Sequence, residues 1–204
     1  MLHICIPSNR DHTPYFTLPL LALNQHLCRK EHFDFKTKFK IGCSNLPQER
    51  QNFLDEAMAE GATHLLFIDD DMTFPETIVD SFLASGVPVI AANCCRKSPD
   101  ALVYTAVGFD GNQIESKGKT GITEVAQVGT GIMMIDLEAV KHIKPPHFAV
   151  PWMEERKKYC GEDLFFCHKL REAGVKIFID HDVSNKVGHV GAYTYCFNSY
   201  REES

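Results

Sequence analysis

Three acids in a row, Asp69-Asp70-Asp71, follow the apolar run Leu65-Leu66-Phe67-Ile68. The run reads as a buried strand, and open α/β sheets bind their ligands at the carboxyl ends of such strands. At neutral pH this much negative charge in one small volume repels itself unless a cation neutralises it, and a divalent metal is the simplest resolution. Side chains at i and i+2 of an extended backbone point the same way. Asp69 and Asp71 are therefore expected to face one site while Asp70 points elsewhere or caps the next helix. Oxygen ligands suit magnesium or manganese. An EF-hand is excluded, because its sixth position, a glycine, would be Phe74 and its twelfth, a glutamate, would be Asp80. The competing reading is an acidic helix start that favours the helix dipole.

The elements that must position these acids follow from periodicity. Leu2 to Ile6 reads as a strand stopped by Pro7, and a helix follows from about Tyr15 to Lys30. Phe35, Thr37, Phe39 and Ile41 alternate with Lys36, Lys38 and Lys40, the pattern of a half-exposed strand near a sheet edge. Pro47 opens a helix that runs to Glu60, with Phe53, Leu54, Ala57 and Met58 on one stripe and Gly61 ending it. His64 to Ile68 is a central strand, Pro75 opens another short helix, and Val87 to Ala92 is the next strand. Beyond Cys95, Ala101 to Val107 and Ile122 to Val128 read as antiparallel strands around a turn at Asp110-Gly111-Asn112. The strand Ile132 to Ile135, a mobile loop from Pro145 to Lys158, a helix from Glu162 to Ala173 and a strand from Val175 to Ile179 complete the order. Leu164, Phe165, Cys167, His168 and Leu170 are the candidates for that helix's buried side. Strands alternating with amphipathic helices predict an α/β fold with a mainly parallel sheet flanked by helices and a small antiparallel element in the second half.

At 204 residues and 23.0 kDa, the chain fits one domain. Its 44% hydrophobic and 24% charged residues exclude disordered, collagen-like and coiled-coil classes. A formal net charge of −6 argues against binding nucleic acid, whose partners neutralise phosphates with a basic face. The uncharged run Ser81 to Cys95 is broken by Gly86 and Pro88 and is shorter than the roughly 20 residues that span a bilayer. No secretory leader is recognisable at Met1 to Pro7, so a reducing, cytoplasmic setting is expected. The eight cysteines accordingly read as free thiols.

The run Leu65 to Pro75 resembles the DXD segment of nucleotide-sugar glycosyltransferases of the GT-A fold, family-2-like, and further landmarks recur in order. Gln48-Glu49-Arg50-Gln51-Asn52 approximates the arginine-asparagine pair at the start of the preceding helix, with Gln51 between the two. Val128-Gly129-Thr130-Gly131-Ile132 looks like the glycine-containing acceptor loop, Gly161-Glu162-Asp163-Leu164 is similar to the glutamate-aspartate motif, and Gly188-His189-Val190-Gly191 lies where many members carry a late metal-binding histidine. The landmarks run from about Pro7 to Gly191.

The resemblance implies a role for each matched residue. Manganese or magnesium would be held by Asp71 and His189, with Asp69 near the ribose or sharing the metal, and would stabilise the departing diphosphate. Asp163 would be the general base of an inverting reaction, and Glu162 would bind the acceptor or hold Asp163. Pro7, Ser8, Asn9 and Arg10 would meet the nucleoside, together with Asp70. Arg10, Arg50, Asn52, Arg96 and Lys97 would serve the nucleotide and its diphosphate. Gly129, Thr130, Gly131 and Trp152 would line the acceptor or sugar side.

The expected activity is metal-dependent transfer of a sugar from a UDP- or GDP-sugar to a hydroxyl of a glycan, a protein-linked glycan or a small acceptor. Residues 1–97 would form the nucleotide-sugar half and 98–204 the acceptor half. Few residues are left over beyond such a catalytic core, so the acceptor side is expected to be either shallow or supplied by a further domain or partner chain. A retaining enzyme of the same fold and an inactive sugar-nucleotide or glycan-binding module are the alternatives. A sugar nucleotidyltransferase is disfavoured because Ser8 to Tyr15 lacks a glycine-rich phosphate loop.

Overall fold

The computed structural model describes residues 1–9, 11–98 and 102–191, together with the backbone of 194–195. Its first half runs β1 (Leu2–Ser8), α1 (Pro14–Cys28), β2 (Phe35–Ile41), α2 (Leu46–Ala59), β3 (His64–Ile68), β4 (Met72–Thr73), α3 (Ile78–Ser85) and β5 (Val89–Ala91). The second half adds β6 (Ile122–Val125), β7 (Ile132–Asp136), α4 (Leu137–Val140), β8 (Trp152–Met153) and β9 (Lys158–Tyr159). It ends with α5 (Glu162–Glu172), β10 (Ile177–Asp180), α6 (His181–Ser184), β11 (Gly188–Val190) and β12 (Thr194–Tyr195).

Seven strands form the central sheet in the order β2-β1-β3-β7-β5-β10-β6. β1 pairs parallel with β2 and β3, and β5 with β10; β7 runs antiparallel between β3 and β5, and β6 antiparallel to β10. Alternate residues of the central strands β3 and β7 enter opposite cores. Leu65, Phe67, Met133 and Ile135 pack against α2 and α5, whereas Leu66, Ile68, Ile132 and Met134 pack against α1 and α3. As its lysine alternation predicts, β2 is an edge strand. A second, small sheet in the order β12-β11-β4 sets His189 opposite Met72.

Three expectations change. No named strand covers 102–107, where only isolated bridges link Cys95 with Tyr104 and Val107 with Gln113 and Gln127. A side chain replaces the ladder there: the buried Asn93 accepts from the Ala106 N–H at 2.9 Å and donates to the Ile114 carbonyl at 2.6 Å. On α5 the buried residues are Phe166, Cys167 and Leu170, and His168 faces solvent, because the helix turns its 166/170 row to the sheet. The 145–158 stretch carries β8, whose Trp152 pairs across from Tyr159 of β9.

Candidate functional site

The triple acid stands where β3 ends. The Asp69 N–H continues the β3–β7 ladder by donating to the Gly131 carbonyl at 2.8 Å, and the Met72 N–H turns back to the Asp69 carbonyl. Two glycines let β7's leading turn press against the acids. A Cβ on Gly131 would lie 3.6 Å from Asp69 Oδ2, and one on Gly129 would lie 3.3 Å from the Thr105 Cβ and 3.6 Å from Asp163 Oδ2.

Each acid has partners of its own, which answers the repulsion differently from a shared cation. Arg50, 1% exposed, donates from Nη2 to Asp69 Oδ1 at 2.9 Å, and its guanidinium lies 5.2 Å from the centre of the Phe67 ring. Its Nε and Nη1 are buried without a hydrogen-bond partner among the described residues, and Nε is 3.9 Å from Glu162 Oε1. The Ser8 hydroxyl donates to Asp70 Oδ2 at 2.8 Å. Lys97 Nζ donates to Asp71 Oδ2 at 2.6 Å, and His189 Nε2 lies 3.3 Å from Asp71 Oδ1.

These surroundings push the carboxyls apart. Burial raises Asp69, with Arg50 pulling back and the Asp163 and Asp71 charges adding to the rise. Burial also acts upward on Asp71, but the hydrogen bonds and charges of His189 and Lys97 outweigh it and hold the group well below the usual carboxylate range. Burial, then the neighbouring charge of Asp163, raises Glu162. Asp163 opens α5 and accepts a hydrogen bond from the Thr130 hydroxyl, which is fully buried and so fixes the carboxylate's orientation.

Three cavities meet at these groups. A small one of about 170 Å³ lies between Pro7, Asn9, Ser44 and the three acids. The next, about 420 Å³, shares Asp69 and Asp71 with the first and adds Lys97, Gly131, Asp163 and His189. The third, about 410 Å³, shares Arg96, Thr105, Gly129 and Asp163 with the second and extends between Tyr104, Gln113, Gln127 and Leu164.

Most expected site residues converge here, and four take other places. Arg50 lies beneath Asp69 and lines none of the three cavities, so its contact is with the acid and not with a diphosphate. Asn52 belongs to the solvent face of α2, bonded to Gln48 and Glu49, because it sits two residues from the buried Arg50 on the helix. Thr130 is spent on Asp163, and Trp152 is 47% exposed, its indole N–H donating to Glu154 and its ring packed edge-on against Tyr159. Arg10 lies outside the described residues. The reading of the sequence missed Thr105, Tyr104, Gln113 and Gln127, which no motif marks. It also missed Asn93, whose only signal is an amide at the end of an apolar strand.

The Asp71–His189 pair has donor chemistry that fits a divalent cation. His189 Nδ1 is 3.0 Å from the Cys95 carbonyl, which can only accept, so Nδ1 is a donor, and Nε2, the nitrogen turned to Asp71, donates to the carboxylate and would give up that proton to bind a metal. No group of three His, Cys, Asp or Glu gathers around one point among the described residues. A cation at this pair would take its remaining ligands from water and substrate oxygens. Cys94, which also lines the middle cavity, is kept a neutral thiol by burial and the nearby Cys95.

No protein-family model matches the chain, and no curated protein matches it. Among solved structures, A197 from STIV superimposes with a TM-score of 0.63 at 18% identity, covering 93% of this chain and 85% of A197. S. aureus TarS 1-349 in complex with UDP-GlcNAc superimposes with a TM-score of 0.52 at 14% identity over 100% of this chain and 60% of that one. The chain thus spans about three fifths of that TarS chain. At these identities the likeness is one of architecture: a seven-stranded mixed sheet flanked by helices, with small antiparallel sheets beside it, in the GT-A-like arrangement.

Proposed function

We propose that the protein is a nucleotide-sugar-dependent glycosyltransferase that inverts the anomeric centre. The observation that carries this reading is the chain of three cavities, with the acids of 69–71 at the first junction and Asp163 at the second. The small cavity takes the nucleoside, the middle one the diphosphate and sugar, and the third the hydroxyl acceptor. TarS, solved with UDP-GlcNAc and with UDP, supports a UDP-sugar donor. The linings support the division at residue 97: the nucleoside cavity draws on residues 7–71, and the third cavity, Arg96 apart, on residues 104–164.

Asp71 and His189 would hold a Mn2+ or Mg2+ ion, which would supply Lewis-acid stabilisation of the charge on the departing diphosphate. Arg96, exposed and without an ion pair among the described residues, lines both large cavities and meets the phosphate from the other side. The acceptor oxygen attacks the anomeric carbon as the bond to the diphosphate oxygen breaks, and the hydroxyl proton passes to Asp163 Oδ2. Thr130 keeps Oδ1 occupied and so leaves Oδ2 toward the cavities. Arg50 positions Asp69 and screens the charge between Asp69, Glu162 and Asp163. A further domain or partner chain completes the acceptor side, and the free thiols of Cys5, Cys28, Cys43, Cys94, Cys160 and Cys167 support a reducing, cytoplasmic setting.

The test combines ligand stabilisation with turnover. Thermal shifts with UDP, GDP, CMP and TDP, with and without Mn2+, should show one nucleotide raising the midpoint only when metal is present. Asp71→Ala should abolish that rise, whereas Asp163→Asn should keep it and lose sugar transfer. A metal response with no nucleotide preference sinks the reading, and undiminished transfer by Asp163→Asn moves the base elsewhere.

A further inference from the structure

Asp71 is 12% exposed, so its charge is largely withdrawn from water, and Lys97 already neutralises it from 2.6 Å. A second described cation beside the acids is built differently. Arg50 is 1% exposed under Phe67 and Asp69 and lines none of the three cavities. Lys97 follows β5 on a loop, keeps 28% of its side chain in solvent, and lines the same 420 Å³ cavity as Asp71 and His189. An ammonium on a flexible four-carbon stem can exchange one oxyanion for another without the planar match that arginine needs.

We infer that Lys97 is a displaceable counter-ion, occupying Asp71 until a divalent cation and a nucleoside diphosphate arrive together, when it transfers to a phosphate oxygen in the same cavity. The inference rests on the sugar-nucleotide reading of the site. A cation entering alone must share Asp71 with an ammonium 2.6 Å from the carboxylate, and like charges at that range oppose each other. A cation entering with a diphosphate meets no such opposition, because the phosphate oxygens give Nζ a new partner. Metal and nucleotide therefore bind cooperatively beyond their own chelation, and the coupling is reciprocal. The unliganded protein is thereby kept from filling its site with metal alone.

The experiment measures Mn2+ affinity of the whole chain by the electron paramagnetic resonance signal of free Mn2+, with and without UDP or GDP, in the wild type, Lys97→Met and Lys97→Arg. Circular dichroism confirms that each variant is folded. Without nucleotide, Lys97→Met should bind Mn2+ about tenfold more tightly than the wild type. The gain in Mn2+ affinity on adding nucleotide should shrink in the same variant. Lys97→Arg, which restores the charge, should return the metal-only affinity toward the wild-type value. Unchanged or weaker metal-only binding by Lys97→Met overturns the counter-ion role, as does failure of every form to bind Mn2+. If metal-only binding tightens as expected but neither nucleotide alters it in any form, the competition for Asp71 stands. In that case the transfer to phosphate falls, along with the sugar-nucleotide reading.

Discussion

Asp69 and Asp71 stand two residues apart at the end of one strand, and their surroundings could hardly differ more. Asp69 is pressed against the turn before β7 and paired with an arginine that is 1% exposed, and burial pushes its carboxyl up. Asp71 faces a lysine delivered by a loop and a histidine delivered by β11, and its carboxyl is held down despite burial. The contrast shows that the partner's freedom, and not the acid itself, decides what each carboxylate does. A desolvated guanidinium outside the cavities makes Asp69 a fixed post, whereas a partly solvated ammonium leaves Asp71 able to change partners.

The largest effect should come from breaking the fixed pair. Arg50→Met removes a cation that is 1% exposed from beneath Asp69, whose own side chain keeps 29% of its surface toward the cavities, and should cost about 3 kcal/mol in a denaturant titration, and adding Asp69→Asn should recover part of it. A single variant within about 1 kcal/mol of the wild type would put Asp69 in the same class as Asp71. Asp163 extends the comparison to a carboxylate oriented by a neutral hydroxyl. Thr130→Val removes a hydrogen bond to a charged group, worth about 1.5–3 kcal/mol, so transfer should fall roughly ten- to hundredfold while Mn2+ and nucleotide binding hold. Equal losses in binding and transfer would mean that the valine disturbs the whole turn. Lys97→Met, by contrast with Arg50→Met, should change stability by no more than about 1 kcal/mol, since its ammonium touches solvent where the guanidinium does not.

The smallest effect belongs to a surface counterpart. Glu60, bonded at 2.6 Å by both Lys36 and Lys38, has a carboxyl lowered to about 2 from an ordinary value of 4.5, chiefly by those two hydrogen bonds. A depressed carboxyl stabilises the fold above its ordinary value and loses that contribution as pH falls through the lowered one. Glu60→Gln should therefore flatten the decline in melting temperature between about pH 4.5 and 2, and parallel profiles for the two proteins would refute it.

Much of this was legible in the residues. Four apolar side chains before three acids specified β3 and the ligand edge, and the two-residue repeat of an extended chain turned Asp69 and Asp71 to a common cavity. Arg50 carried a signal that charge concealed. With Phe53, Leu54 and Ala57 it follows the i, i+3, i+4, i+7 spacing of the buried stripe, and Asn52 falls off that stripe. The third cavity's wall was illegible because residues 104–114 are held by Asn93's amide and isolated bridges, which impose no period on the sequence. The direction of β7 was hidden as well, since a strand buried on both faces looks the same whichever way it runs.

β7's position has a consequence for how the chain is made. It lies between β3 and β5 although it is the later product of synthesis, and β5's other neighbour, β10, emerges later still. At the moment residue 97 leaves the ribosome, β3 has an open edge and β5 has no neighbour at all. For several seconds at roughly 5–20 residues per second, the half that carries the triple acid waits as an unsealed sheet whose bare rim invites other nascent chains. The strand that closes this rim is the one whose leading glycine turn meets Asp69 and Asp163, so the seam of the sheet and the floor of the site are completed in one event.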